Sequence, residues 1–177
     1  LRAGLHAGKP DRALHGLLRG LLLGRLPLWG GPRLKPDERG EHGERLSLEH
    51  GSGGALSRWL TEQVIYPFFR GEHYAELNDA SPFRLEGQGL LTTDSYVVDP
   101  PFFPGGDIGR LAVFGTCNDL AVCGATPLAL SLGLVLEEGF RLEDLRRVLH
   151  SVRTAADEAG VPVVTGDTKV VERGKGD

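Results

Sequence analysis

Between Leu142 and Ala159, Leu142, Leu145, Val148, Leu149, Val152, Ala156 and Ala159 recur one helical turn apart, and Gly160 follows at once. This spacing makes one apolar stripe on a helix and stops it at a residue free to turn left-handed. Apolar runs flank the stripe: Leu128–Leu136 before it and Val161–Thr165 after it, each the length of a buried strand. Strand, helix and strand in succession require a helix layer over a sheet, so the expected fold is α/β or α+β. Other stretches fit that alternation. Leu46–His50 reads as a short strand, Gly51-Ser52-Gly53-Gly54 as a turn, and Ala55–Val64 as a helix with Leu56, Trp59, Leu60 and Val64 on one side. Leu90–Thr93 and Tyr96–Val98 read as strand, and Asp107 as the N-cap of a helix from Ile108 to about Cys123. No internal repeat is present.

Charge divides the chain. Residues 1–36 hold seven of the 20 Lys and Arg but one of the 24 Asp and Glu, a net of +6, and the remainder carries −10. Pro36–Glu44, polar and containing Gly40 and Gly43, reads as a linker. The expected organisation is therefore a basic extension and linker over 1–44 and a folded domain over 45–177. The overall charge of −4 gives no reason to expect nucleic acid or an anionic membrane as partner. Leu14–Gly30 is too interrupted by Arg19, Arg25 and Pro27 to span a bilayer, which takes about 20 mostly apolar residues. The chain opens on Leu1, contains no Met and stops on loop-type residues after an apolar run, so a fragment of a longer protein is expected. Cys117 and Cys123 fall in one expected helix, roughly 9 Å apart along its axis, too far for a disulfide. They read as small buried hydrophobes in a reducing, cytoplasmic setting.

Four places could carry chemistry. Gly51-Ser52-Gly53-Gly54 at a helix start is either a plain turn or a phosphate cradle of backbone N–H groups. Asp94, within Thr92-Thr93-Asp94-Ser95, interrupts two β-branched runs; it either lies at an exposed edge or meets a cation. Asn118-Asp119 lies inside a helix, where apolar neighbours Phe114, Leu120 and Val122 suggest a partly buried acid. Gly166-Asp167-Thr168-Lys169, at an expected strand end, brings an acid, a hydroxyl and a cation together. Jointly they offer oxygen ligands for magnesium and donors for phosphates.

The segments HGSGG (50–54), TTDSYVVDPPFFPGGDIGRLAVFGTCNDLAVCGATP (92–127), EEGF (137–140) and GDTKVVERGKGD (166–177) resemble the N-terminal part of the hydrogenase expression/formation protein E family. That family, HypE, is the carbamoyl dehydratase of [NiFe]-hydrogenase maturation, within the aminoimidazole-ribonucleotide-synthetase-like superfamily. The resemblance covers about three quarters of the chain. It implies a PurM-like N-terminal domain, a mixed sheet covered by helices that pairs with a second copy, with ATP and Mg²⁺ near the dimer interface. It also implies magnesium ligands at Asp79, Asp94, Asp119 and Asp167. Gly51, Ser52, Gly53, Gly54, Asn118, Thr168 and Lys169 are implied around the nucleotide. Cys117 and Cys123 depart from the small residues expected at their positions.

The implied reaction dehydrates a protein-bound S-carboxamide to a thiocyanate, the source of the hydrogenase cyanide ligands. Lys169 and Mg²⁺ would neutralise charge on the transferred phosphoryl group. The cysteine bearing the carboxamide belongs to the family's C-terminal domain, so this chain is expected to carry the nucleotide half only. The implied partners are a carbamoyltransferase maturation protein and an iron-scaffold maturation complex. The alternatives are another superfamily member, such as a selenophosphate synthetase or thiamine-monophosphate kinase, or a non-catalytic module that docks assembly partners. FFPGGDIG, and the lack of a matching Cys near the glycine turn, argue against the first alternative.

Overall fold

The structure, a computed structural model, describes residues 45–71, 77, 80–82, 85 and 87–176. The basic extension and linker expected over 1–44 lie outside the described residues, as does Asp79.

Leu48–Gly51 opens the described chain as a 3₁₀ turn rather than the expected strand over Leu46–His50. The reason is local. Ser47 N–H donates to His50 Nδ1 at 3.1 Å and His50 N–H donates to Ser47 O at 3.0 Å, so the two residues close the turn on each other. Strand-like pairing survives only beside it, where Leu46 N–H donates to Phe140 O and Gly139 N–H to Leu46 O, both at 2.8 Å.

A helical run follows in three pieces: α1 (Ala55–Trp59), a π-helical segment (Leu60–Ile65) and α2 (Tyr66–Phe69). It extends past the expected end at Val64. Pro67 has no N–H and crowds the carbonyl four residues back, and the register widens just before it, with Tyr66 N–H bonded to Thr61 O. Leu60, Val64 and Phe69 face the core.

Phe102–Phe103 (β1) and Gly106–Asp107 (β2) form a small antiparallel hairpin that leads into α3 (Ile108–Val122). Asp107 caps α3 as the sequence predicts, its carboxylate accepting Arg110 N–H at 2.9 Å. Next come β3 (Leu130–Glu137), α4 (Leu142–Ala159) and β4 (Val163–Val171). β3 and β4 are parallel neighbours, and α4 is the crossover that parallel pairing demands.

The α4 stripe buries Leu142, Leu145, Val148, Leu149, Val152, Ala155 and Ala156 against Val113 and Cys117 of α3 and Leu136 and Val163 of the sheet. Leu149 is wholly buried, so truncation to Ala would cost about 2–5 kcal/mol. The helices cover one face of the β3–β4 pair. Leu132, Leu134, Thr168 and Val170 turn toward it, while Ser131, Val135, Asp167 and Lys169 are exposed on the other.

Two further expectations differ from the structure. Leu90–Thr93 and Tyr96–Val98 join no ladder among the described residues; the segment runs extended and unpaired, with Leu91 and Val97 exposed. β-branched composition favours extended backbone but cannot supply a partner edge. The last strand does not stop at Thr165: it continues to Val171, so Gly166-Asp167-Thr168-Lys169 lies within β4 and not at its end.

Candidate functional site

The glycine turn is seated directly on β4. A Cβ added at Gly51 would stand 2.7 Å from Val170 N and 2.9 Å from Val170 Cβ, so only glycine permits this approach. The turn is held from within: Ser52 Oγ donates to Glu49 O at 2.9 Å, and Gly53 N–H donates to Ser57 Oγ at 2.9 Å. Ser52, Gly53 and Gly54 are exposed, and Gly54 is the N-cap of α1. Lys169 is the chain neighbour of the residue that the turn touches.

β4 divides its polar residues by alternation. Asp167 and Lys169 share the open face, where Lys169 Nζ lies 3.3 Å from Asp167 Oδ2. Both side chains are about two-thirds exposed or more, so the pair is worth at most about 1 kcal/mol and leaves both groups free to take other partners. Thr168 points to the helix side. There, together with Thr61, Ile65, Leu132, Leu134 and Thr165, it lines a shallow depression of about 170 Å³.

A second juxtaposition joins the Asp94 segment to α3. The Tyr96 hydroxyl occupies the place that a side chain on Gly115 would need. Asn118 and Asp119 lie one turn further along α3 and are exposed, as is Asp94. The expectation of a partly buried Asp119 is thus replaced by an exposed one, because the core-facing stripe of α3 runs through Gly109, Val113 and Cys117.

Two residues with structural weight at the site carried no assigned role in the sequence reading. Tyr96 passes for one more strand aromatic, and its tether to Gly115 depends on a contact between distant residues. His50 was visible as the residue before the glycine turn. Its burial, its edge-on packing against Trp59 at 5.9 Å and its Nε2 atom without a hydrogen-bond partner needed the tertiary structure.

Among the described residues, no three His, Cys, Asp or Glu side chains converge closely enough to hold a metal ion. This donor set does not fit a magnesium ion held by protein alone. Magnesium is usually held by one or two carboxylates plus phosphate oxygens and water, so an ion at these exposed acids would take its remaining oxygens from the nucleotide. The exposed glycine turn beside a lysine-bearing strand is chemically suited to those phosphates. Perturbed titration lies elsewhere: Arg110 holds the Glu158 carboxyl below its ordinary range, and burial pushes the Cys117 thiol up.

Residues 77–177 match the AIR synthase related protein, N-terminal domain family, and the chain belongs to that family. Within it, the resemblance to HypE holds. The chain is 53% identical over 133 residues to carbamoyl dehydratase HypE of Azotobacter vinelandii, covering 75% of this chain and 39% of that protein. It is 47% identical over 135 residues to carbamoyl dehydratase HypE of Escherichia coli (strain K12), covering 73% of this chain and 40% of that protein. A crystal structure of the hydrogenase maturation protein HypE in complex with ATP superposes with a TM-score of 0.71 at 52% identity, over 75% of this chain and 39% of that one. The chain thus spans about two fifths of the length of these relatives.

Proposed function

We propose that this chain is the nucleotide-binding part of an ATP-dependent carbamoyl dehydratase of hydrogenase maturation. The observation that carries the reading is the seating of the glycine turn against Val170 of β4, directly after the Gly166-Asp167-Thr168-Lys169 segment. It brings together two sequence-distant segments suited to phosphate, in a chain 52% identical to a protein crystallised with ATP. Residues 45–177 are assigned as the ATP-binding domain and residues 1–44 as an extension outside it.

In this reading the backbone of Gly51, Ser52, Gly53 and Gly54 receives the phosphates, with Asn118, Thr168 and Lys169 around the nucleotide. Asp79, Asp94, Asp119 and Asp167 supply carboxylate oxygens to Mg²⁺, which when bound offsets phosphate charge. Lys169 places a cation against the oxygens of the transferred phosphoryl group. The reaction assigned to the full-length protein begins at an S-carboxamide on cysteine. The amide oxygen takes the γ-phosphoryl group, releasing ADP and one N–H proton. The C–O bond then breaks, phosphate departs with its electron pair, and loss of the second N–H proton leaves the S–C≡N group. A homodimer, a carbamoyltransferase that loads the cysteine, an iron-scaffold complex that receives the cyanide, and a cytoplasmic location complete the proposal. Among the described residues no helix is long and apolar enough to cross a membrane.

Calorimetric titration of the full-length protein tests it. Mg-ATP should bind, and Mg²⁺ without nucleotide should bind far more weakly. Asp94→Asn and Asp167→Asn should each weaken Mg-ATP by about 2–4 kcal/mol through loss of a charged ligand. Melting temperature should not fall, since both side chains are exposed and bury nothing. Normal Mg-ATP binding by both variants would remove the acids from the site. No binding by the wild type would leave a docking module as the better reading.

A further inference from the structure

His50 is 5% exposed, and its Nε2 is the buried side-chain nitrogen or oxygen that lacks a hydrogen-bond partner among the described residues. The other ring nitrogen is committed. Ser47 N–H, a group that can only donate, reaches Nδ1 at 3.1 Å, and Ser47 Oγ lies 3.0 Å from the same atom. Ser47 O also lies 3.3 Å from Nδ1 but already accepts His50 N–H at 3.0 Å, so the shorter contact from the obligate donor assigns the lone pair to Nδ1 and the proton of the neutral ring to Nε2. The orphan atom is therefore an N–H donor, and a buried donor left without an acceptor is costly enough to need an explanation.

Its position supplies one. His50 is the residue immediately before the glycine turn, and the next residue, Gly51, lies against Val170 of β4. The ring is held in place by the Ser47 bond and by Trp59, whose ring packs edge-on at 5.9 Å. Ser52, Gly53 and Gly54, which follow it, are exposed and bonded to their own neighbours rather than to the core. For a phosphate to reach Nε2 that turn must move aside, while the Ser47 bond keeps the ring in place.

We propose that His50 Nε2–H is a donor to a phosphate oxygen of the nucleotide at the glycine turn, a contact that rests on the nucleotide reading of that turn. Ser47 then acts through the ring as a positioning residue, fixing the tautomer that makes Nε2 the donor. The competing account makes His50 a structural plug, its Nε2–H resting against the Trp59 ring.

Two substitutions in the full-length protein separate the roles of the ring nitrogens. His50→Asn keeps an acceptor where Nδ1 stands and removes the donor. His50→Gln reaches the Nε2 position with an N–H but gives up the Ser47 acceptor. The proposal expects His50→Asn to melt close to wild type yet bind Mg-ATP about ten-fold or more weakly, the loss of one hydrogen bond to a charged group. His50→Gln should melt lower but bind Mg-ATP more tightly than His50→Asn. In ¹⁵N-labelled wild type the imidazole should show the Nε2–H tautomer, with its signal moving on addition of Mg-ATP. That measurement decides the matter if a variant fails to fold. Wild-type affinity in His50→Asn, or an imidazole signal that Mg-ATP leaves unmoved, would overturn the proposal while leaving the nucleotide site intact. Absence of Mg-ATP binding by the wild type would instead overturn the nucleotide reading, and this contact with it.

Discussion

Cys117 and Cys123 are six residues apart, yet their surroundings separate their chemistry. Cys117 faces the core from α3 and burial pushes its thiol pKa up, whereas Cys123 is exposed at the helix C-cap. The thiolate is the nucleophile, so a raised pKa leaves less of it at a given pH, and burial also blocks the reagent. Iodoacetamide at mildly alkaline pH should therefore modify Cys123 first, with Cys117 reacting only after unfolding. Peptide mapping of a time course reads this directly, and equal rates would place Cys117 outside the core. The same contrast between partnered and solvated groups governs the acids. Glu158 is bonded to Arg110 at 2.9 Å, and this partner lowers its pKa. Any stability it lends is present above its unfolded pKa and is lost as pH falls through the lower folded value. Both groups are exposed, so this loss is small.

At the scale of elements, two glycines do unlike work. Gly160 ends α4 in the left-handed region at φ +68, and its N–H closes onto Asp157 O. Ala at that position keeps the space but not the conformation, and should cost about 1 kcal/mol. Gly51 has the reverse constraint: the difficulty is Val170, whose backbone nitrogen would lie 2.7 Å from the new Cβ. Gly51→Ala must push the turn off β4. It should lower Mg-ATP affinity as well as stability, where Gly160→Ala lowers stability alone. Denaturant melts paired with nucleotide titration distinguish them, and equal nucleotide affinity in the two variants would detach the turn from the site. Asp107→Ala belongs with Gly160→Ala: a lost N-cap bond on α3, at about 1 kcal/mol, with binding unchanged.

Among the described residues, the helices cover one side of the β3–β4 pair. α4 and its neighbours cover the inner face of β3 and β4, while Val135 is 62% exposed on the outer face beside Asp167 and Lys169. A single exposed valine is ordinary at a protein surface, so the dimer prediction rests on the family resemblance and Val135 serves to probe it. The proposed homodimer places a second copy there. The full-length protein should sediment as a dimer at micromolar concentration, and Val135→Glu should shift it toward monomer without lowering the melting temperature. A wild type that sediments as a monomer would remove the interface.

The sequence by itself determined the elements whose physics is local. The Leu142–Ala159 stripe, its Gly160 stop and the Asp107 cap were legible because helix periodicity and capping depend on residues within a turn of one another. The α/β class was legible for the same reason. The motifs at 50–54 and 166–169 were readable as patterns suited to phosphate, although not as neighbours. Tertiary structure alone decided that Gly51 touches Val170 and that Tyr96 lies over Gly115. It also left 90–98 unpaired among the described residues and buried one nitrogen of His50 without a partner. Each of these depends on which distant backbone or side chain arrives alongside. A ladder needs a second edge, a close approach needs two surfaces, and burial needs a neighbour, none of which a residue carries in its own side chain.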